Sequence, residues 1–131
     1  MLRPRLYPSL INALKGVAAA MLSSLLVALL FAYTFRLPVP LAGYIGPFGD
    51  LNTYGHGVMD IIQSVLVAWL FYGIFGGFII IALSGTVMGL LIGSRYAGSD
   101  GKSRVIILWS AAAGSIPVFI LAVLDYLIGP W

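Results

Sequence analysis

The sequence predicts an all-α integral membrane protein with three transmembrane helices. Of its 131 residues, 61% are hydrophobic and only 8% are charged, and the mean hydropathy is +1.07. Soluble domains contain about 25% charged residues, which cover the surface around their apolar core. The chain has no cysteine, which excludes disulfides, thiolate metal sites and iron–sulfur clusters. We expect a single membrane domain over residues 1–131.

The first predicted helix covers about residues 10–36. Its apolar run follows Lys15 and closes at Arg36, and about 20 apolar residues are enough to cross a bilayer. A cleaved signal peptide is the alternative interpretation, but the apolar region of such a peptide has only about 7–15 residues. The helix carries small residues at intervals of four: Gly16, Ala20, Ser24, Ala28 and Ala32.

The second predicted helix, about residues 58–94, is unusually long. At 1.5 Å per residue it would measure about 54 Å, whereas the hydrocarbon core of a bilayer is about 30 Å thick. We expect its amphipathic first two turns to stand above the hydrocarbon. A hairpin at Gly76-Gly77 is the alternative, and it would leave two arms too short to span; whether these glycines bend the helix is left open. Glycines recur at intervals of four along it: Gly73 and Gly77, then Gly85, Gly89 and Gly93.

These two stripes of small residues predict close helix packing. Residues four apart lie on one face of a helix, and small side chains there let a second backbone approach closely. We therefore expect a tight contact between the first and second predicted helices.

The connections and the basic residues predict the topology. Residues 37–57 form an outer loop whose apolar side chains predict a compact structure on the bundle end, in the headgroup zone or against a partner protein. Residues 95–104 form a polar cytoplasmic loop, and the third predicted helix covers about residues 105–128. All basic residues except Arg36 precede the first span or lie in the 95–104 loop. The positive-inside rule then predicts a cytoplasmic N-terminus and an outer C-terminus, in the cytoplasmic membrane of a prokaryote.

Four residues are candidates for a polar site: Asp50, His56, Asp60 and Asp125. We expect Asp125 to cap or to pair with Arg36 near the outer interface; a proton- or cation-carrying Asp125 is the alternative, and would need a second polar group at mid-depth. Asp60 is expected at a helix N-terminus, which favours a carboxylate. His56 is expected in the loop, with haem ligation as a weaker alternative. One histidine with two carboxylates is too few for a typical metal site. We predict no catalytic residue and no metal, and the sequence identifies no cofactor.

The pattern as a whole predicts a small non-catalytic accessory subunit of a larger membrane complex of respiratory, photosynthetic or transport type, packed through its glycine and alanine faces. Its expected partners are membrane lipids and other membrane subunits. Nucleic acid is excluded as a partner because the basic residues are dispersed at the helix ends. A small homo-oligomeric channel or transporter, assembled through Gly85, Gly89 and Gly93, is the alternative. A membrane enzyme with an outer-face site at Asp50, His56 and Asp60 is a weaker alternative.

Overall fold

Three apolar helical segments dominate the structure, a computed structural model that describes residues 3–47, 57–96 and 101–129, with side chains from residue 8 onward. Within these ranges, the segments long and apolar enough to cross a membrane are Pro8–Thr34, Val58–Arg95 and Lys102–Ile128. The predicted class, a helical membrane protein with three candidate spans, is confirmed at this level.

The described elements are four α-helices and a short β-hairpin. In chain order they are α1 (Arg3–Thr34), β1 (Leu37–Val39), β2 (Gly43–Ile45), α2 (Val58–Tyr72), α3 (Phe78–Arg95) and α4 (Lys102–Ile128). Helices α1 and α4 begin several residues before their predicted starts.

Helices α1 and α3 run antiparallel with their backbones in contact. A Cβ atom on Gly16 of α1 would overlap the carbonyl oxygen of Gly85 of α3, and one on Gly89 would overlap the carbonyl oxygen of Asn12. One turn further along α3, a Cβ atom on Gly93 would lie 2.9 Å from the Asn12 Cγ. The glycines thus allow a spacing that no larger residue permits at these positions.

Helix α4 runs parallel to α1 at a constant register. The Lys15 Nζ donates to the Ser103 Oγ at 2.8 Å, and the Ser23 Oγ donates to the Ala111 carbonyl at 2.7 Å. Near the other end of α1, the ring centroids of Phe31 and Phe119 are 6.0 Å apart. Each of these pairs is 88 residues apart in the chain, so the two helices keep one alignment along most of their length.

The hairpin that follows α1 packs onto the helices. Strands β1 and β2 pair antiparallel, with Leu37 opposite Ile45. Leu37, Val39 and Ile45 are buried in one apolar cluster with Ala28 of α1 and with α2. The described part of the predicted outer loop is therefore compact and rests on the end of the bundle.

The stretch predicted as one long second helix consists of α2 and α3, joined by a distorted π-helical turn over Gly73–Gly77. Phe75 has a ψ of 20° and Gly76 a φ of 114°, and both depart from helical geometry. The rings of Trp69 and Phe78 meet edge to face with centroids 4.6 Å apart. In a straight helix, residues nine apart point to opposite sides and are separated by about 14 Å along the axis. The chain therefore bends sharply here.

Replacing Gly16 with alanine should lower the free energy of unfolding by about 1–3 kcal/mol, because the added methyl group overlaps the Gly85 carbonyl. This loss is expected although alanine is intrinsically the better helix former. Thermal or SDS-induced unfolding in micelles measures it. Gly101→Ala is the matched control, since a Cβ atom there meets nothing within 4 Å. A Gly16→Ala protein as stable as the wild type would contradict the backbone contact.

Candidate functional site

The candidate site lies at the distorted turn Gly73–Gly77 between α2 and α3, called the break below. The break is about halfway along the bundle. Lys15 and Arg36 are separated by about 32 Å along α1, close to the roughly 30 Å thickness of the hydrocarbon core. Gly85 of α3 lies opposite Gly16 of α1, and the two helices are antiparallel. Gly77, eight residues before Gly85, is therefore level with Ser24, eight residues after Gly16. Ser24 is about 14 Å from Lys15 along α1, which places the break near the middle of the apolar layer.

Three glycines, Gly73, Gly76 and Gly77, allow the backbone to adopt the conformation of the break. A Cβ atom on Gly73 would overlap the ring of Phe78, and one on Gly77 would lie 2.7 Å from the Tyr72 carbonyl oxygen. Gly76 has open space around it, but its φ of 114° lies in a region that L side chains rarely adopt. Of the five glycines predicted to pack helices, Gly85, Gly89 and Gly93 lie against α1, whereas Gly73 and Gly77 lie inside the bend.

The predicted small residues of α1 line its buried side. Ala20, Ser24, Ala28 and Ala32 are all buried. A Cβ atom on Gly114 of α4 would overlap the Ala20 carbonyl oxygen. Ala28 and Ala32 belong to the apolar cluster that includes the hairpin and α2. The stripe of small residues on α1, from Gly16 to Ala32, thus contacts α3, α4 and α2 in turn.

A hydrogen bond holds α2 to α1 beside the break. The Trp69 Nε1 donates to the buried Ser24 Oγ at 2.9 Å, and the Ser24 Oγ donates to the Met21 carbonyl at 2.7 Å. The indole N–H is thereby satisfied inside an apolar layer, where an unpaired donor would be costly. Ser24 therefore anchors α2 at this level, a role that its place in a stripe of small residues does not reveal.

A cavity of about 210 Å³ opens at the break between α1, α2, α3 and α4. Its walls are almost entirely apolar. They are formed by Ala28, Leu37, Ala68, Trp69, Tyr72, Gly73, Gly77, Ile81, Pro117, Val118 and Leu121. Pro117 and Gly77 both line it, so helix-perturbing residues of two spans border one cavity. The sequence gave no indication that these two residues would border the same space.

A buried ion pair lies beyond the cavity, one turn along α4 from Leu121. The Arg36 Nε donates to the Asp125 Oδ2, and the Arg36 Cζ lies 3.6 Å from the ring centroid of Tyr44. Arg36 is 8% exposed and Asp125 is fully buried. The pairing of Asp125 with Arg36 expected from the sequence is present, and the hairpin adds a cation–π contact from Tyr44.

This ion pair is not fully hydrogen-bonded. The Arg36 Nη2 and the Asp125 Oδ1 are buried and have no hydrogen-bond partner among the residues that the structure describes. Burying a charged group without partners for all its polar atoms costs free energy. Both atoms are inaccessible to solvent, so this part of the desolvation of the pair is left uncompensated.

The other predicted polar residues fall elsewhere. The Asp60 carboxylate accepts a hydrogen bond from the Gly57 N–H at 3.1 Å, at the start of α2. Asp50 and His56, the other members of the predicted outer-face cluster, lie outside the described residues. Across the described ranges, no group of three or more histidine, cysteine, aspartate or glutamate side chains is placed to hold a metal ion.

No family model matches the chain, and no curated protein or solved structure is detectably similar to it.

The ion pair generates a double-substitution prediction. Arg36→Met or Asp125→Leu alone should each lower the free energy of unfolding by about 3–5 kcal/mol, because each leaves an uncompensated buried charge. The double variant should recover most of this loss, since it replaces the pair with apolar side chains. SDS-induced unfolding in micelles measures all three proteins. The exposed Arg95→Met provides a control at the other end of the bundle, and strictly additive losses would contradict the pairing.

Proposed function

We propose that the protein is a small non-catalytic accessory subunit of a larger membrane complex, and that α2 is its docking element. The observation that carries this proposal is the exposed start of α2. Ile61 packs against the cluster that contains Val65 and the hairpin, so the part of α2 beyond this cluster is its first turn, residues 58–60. On this turn Val58 and Met59 are 61% and 78% exposed.

The chemistry of this end favours a protein partner. Asp60 on the same turn and Gln63 on the next are also exposed. Hydrocarbon would be a poor environment for the carboxylate, and water a poor one for the valine and methionine. A protein surface with an apolar centre and a polar rim accommodates both. The partner complex is of respiratory, photosynthetic or transport type in this proposal.

The glycine and alanine faces act inside the subunit in this proposal. Gly85 and Gly89 lie against α1, so that face of α3 is already covered. A symmetric pore assembled through these glycines would have to separate α1 from α3. The buried stripes instead make a rigid bundle, and the exposed end of α2 is the surface that a neighbouring subunit contacts.

A photocrosslinking side chain placed at Met59 should give one discrete product with a different protein in native membranes. Leu108, 69% exposed on α4, is the matched site, and there we expect products with lipid. In mild detergent the tagged 14.0 kDa chain should migrate in a larger complex, and Met59→Glu should release it. Migration of the wild type as one chain with its micelle would contradict the proposal, and a Met59 product containing only a second copy would favour the homo-oligomer.

The proposed orientation has the N-terminus in the cytoplasm of a prokaryote and the hairpin outside. Because the chain has no cysteine, single cysteines report each side without background. In intact cells, Leu41→Cys in the hairpin turn should react with a membrane-impermeant maleimide, and Tyr96→Cys after α3 should react only after lysis. Both parent residues are exposed. The reverse labelling pattern would overturn the orientation.

A further inference from the structure

The charged residues of the chain are distributed unequally between the two ends of the bundle. Six of the seven basic residues belong to the segments at the end that carries Lys15, where the sequence has one acidic residue, Asp100. The segments at the other end have one basic residue, Arg36, and three acidic ones. With the histidine neutral, the first end has a net charge of +5 and the second of −2, which together give the +3 of the chain. One end is therefore strongly basic.

Basic side chains from two helices meet at this end. The Lys15 Nζ of α1 donates to the Ser103 Oγ at 2.8 Å, so Lys15 lies against the first turn of α4. The same turn carries Lys102 and Arg104. Lys15 and Arg104 are exposed, and Lys102 is half-buried. We call Lys15, Lys102 and Arg104 the basic patch.

The patch has an excess of positive charge. Of the acidic residues that the structure describes, Asp60 lies at the start of α2 and Asp125 is paired with Arg36, both at the other end. Asp100 lies outside the described residues. The first turn of α4 contains no acidic residue, and the helix dipole makes an N-terminus an unfavourable place for cations. An anion beside the patch would offset this unfavourable arrangement.

The position of the patch in the membrane indicates which anion is available. Leu14, directly before Lys15, is 60% exposed, and Leu108, about one turn after Arg104, is 69% exposed. The lipid-facing apolar surface therefore begins directly beside the patch. In a bilayer, the layer next to the hydrocarbon contains the lipid phosphates, and anionic lipids attract lysine and arginine at this level. An ammonium group has three N–H donors, so Lys15 can contact a phosphate oxygen as well as Ser103.

We propose that the basic patch binds the headgroup phosphates of anionic glycerophospholipids and selects these lipids over zwitterionic ones. The bound phosphate offsets the repulsion between Lys15 and the cations of α4, and so stabilises the contact between α1 and α4. This binding is separate from the docking proposed for the first turn of α2, because that turn lies at the opposite end. It also holds whichever end faces the cytoplasm, since the lipid is recognised by its charge.

The test uses the full-length protein in bilayers with Trp109 as the reporter. Trp69→Phe and Trp131→Phe leave Trp109 as the only tryptophan, 54% exposed and about 8 Å from Arg104 along α4. Phosphatidylglycerol and phosphatidylcholine with the same dibrominated acyl chains are the probes, because bromine quenches indole fluorescence on contact. Diluted into unbrominated phosphatidylcholine, phosphatidylglycerol should reach half-maximal quenching at about a fivefold lower mole fraction. Equal quenching by both lipids would overturn the proposal and favour an acidic protein as the partner of the patch.

Two charge-matched variants locate the binding. Lys102→Gln with Arg104→Gln removes two positive charges from the patch and should reduce the preference to about twofold or less. Ala42→Glu with Met59→Glu changes the net charge by the same amount at exposed positions of the other end and should retain the preference. An equal loss in both variants would assign the effect to the charge of the whole molecule and overturn the patch. The comparison of the two lipids on the single-tryptophan protein needs neither variant, so a variant that fails to fold leaves the test intact.

The ionic medium separates a lipid surface from a site for free phosphate. Raising sodium chloride from about 0.1 M to about 1 M shortens the Debye length from about 10 Å to about 3 Å and should abolish most of the preference. A preference unchanged at 1 M would show that charge does not cause it, and would overturn the proposal. Inorganic phosphate should act like chloride of equal ionic strength. Displacement of the lipid by phosphate alone would identify a free-phosphate site and overturn the assignment to lipid.

Discussion

A helix much longer than the bilayer is thick must tilt, protrude or bend, and this chain bends at Gly76. The φ of 114° at that residue is one that glycine adopts without strain and other residues rarely adopt. The placement of α2 depends on this turn, in which Phe75 also departs from helical geometry. It turns α2 away from the axis of α3, places the ring of Phe78 against Gly73 and Trp69, and leaves the space that becomes the cavity.

The close backbone contact between α1 and α3 stabilises the bundle that contains this bend. In a membrane, helices associate through van der Waals packing and interhelical hydrogen bonds, because lipid removes most of the hydrophobic driving force. Gly16, Gly85 and Gly89 bring the two backbones together over about one turn. The parallel register of α1 and α4 adds polar contacts at both ends, from Lys15 to Ser103 and from Arg36 to Asp125. Helices α1 and α4 thus provide the surface against which α2 packs, through Ala28, Ala32 and Val118.

Composition and charge were sufficient to predict the class and three candidate spans, because both follow from the average properties of long segments. The pairing of Arg36 with Asp125 was also predictable, since both residues fall near the same end of parallel spans. The glycine pattern was less informative. An interval of four does not distinguish Gly85, which meets another helix, from Gly73, which makes room for Phe78 within its own bend. The cavity was not predictable, because it results from the mutual placement of four helices. The hairpin at 37–45 was missed because three-residue strands leave little periodic signal.

The direct measurement of the bend is the distance between spin labels attached to cysteines at positions 59 and 91, both exposed in the structure. A continuous straight helix would place these positions about 48 Å apart. In the reconstituted full-length protein, double electron–electron resonance should give a distance clearly shorter than this, with a distribution centred well below 48 Å. A narrow distribution centred near 48 Å would show an unbroken helix, and it would contradict the bend and the cavity beside it.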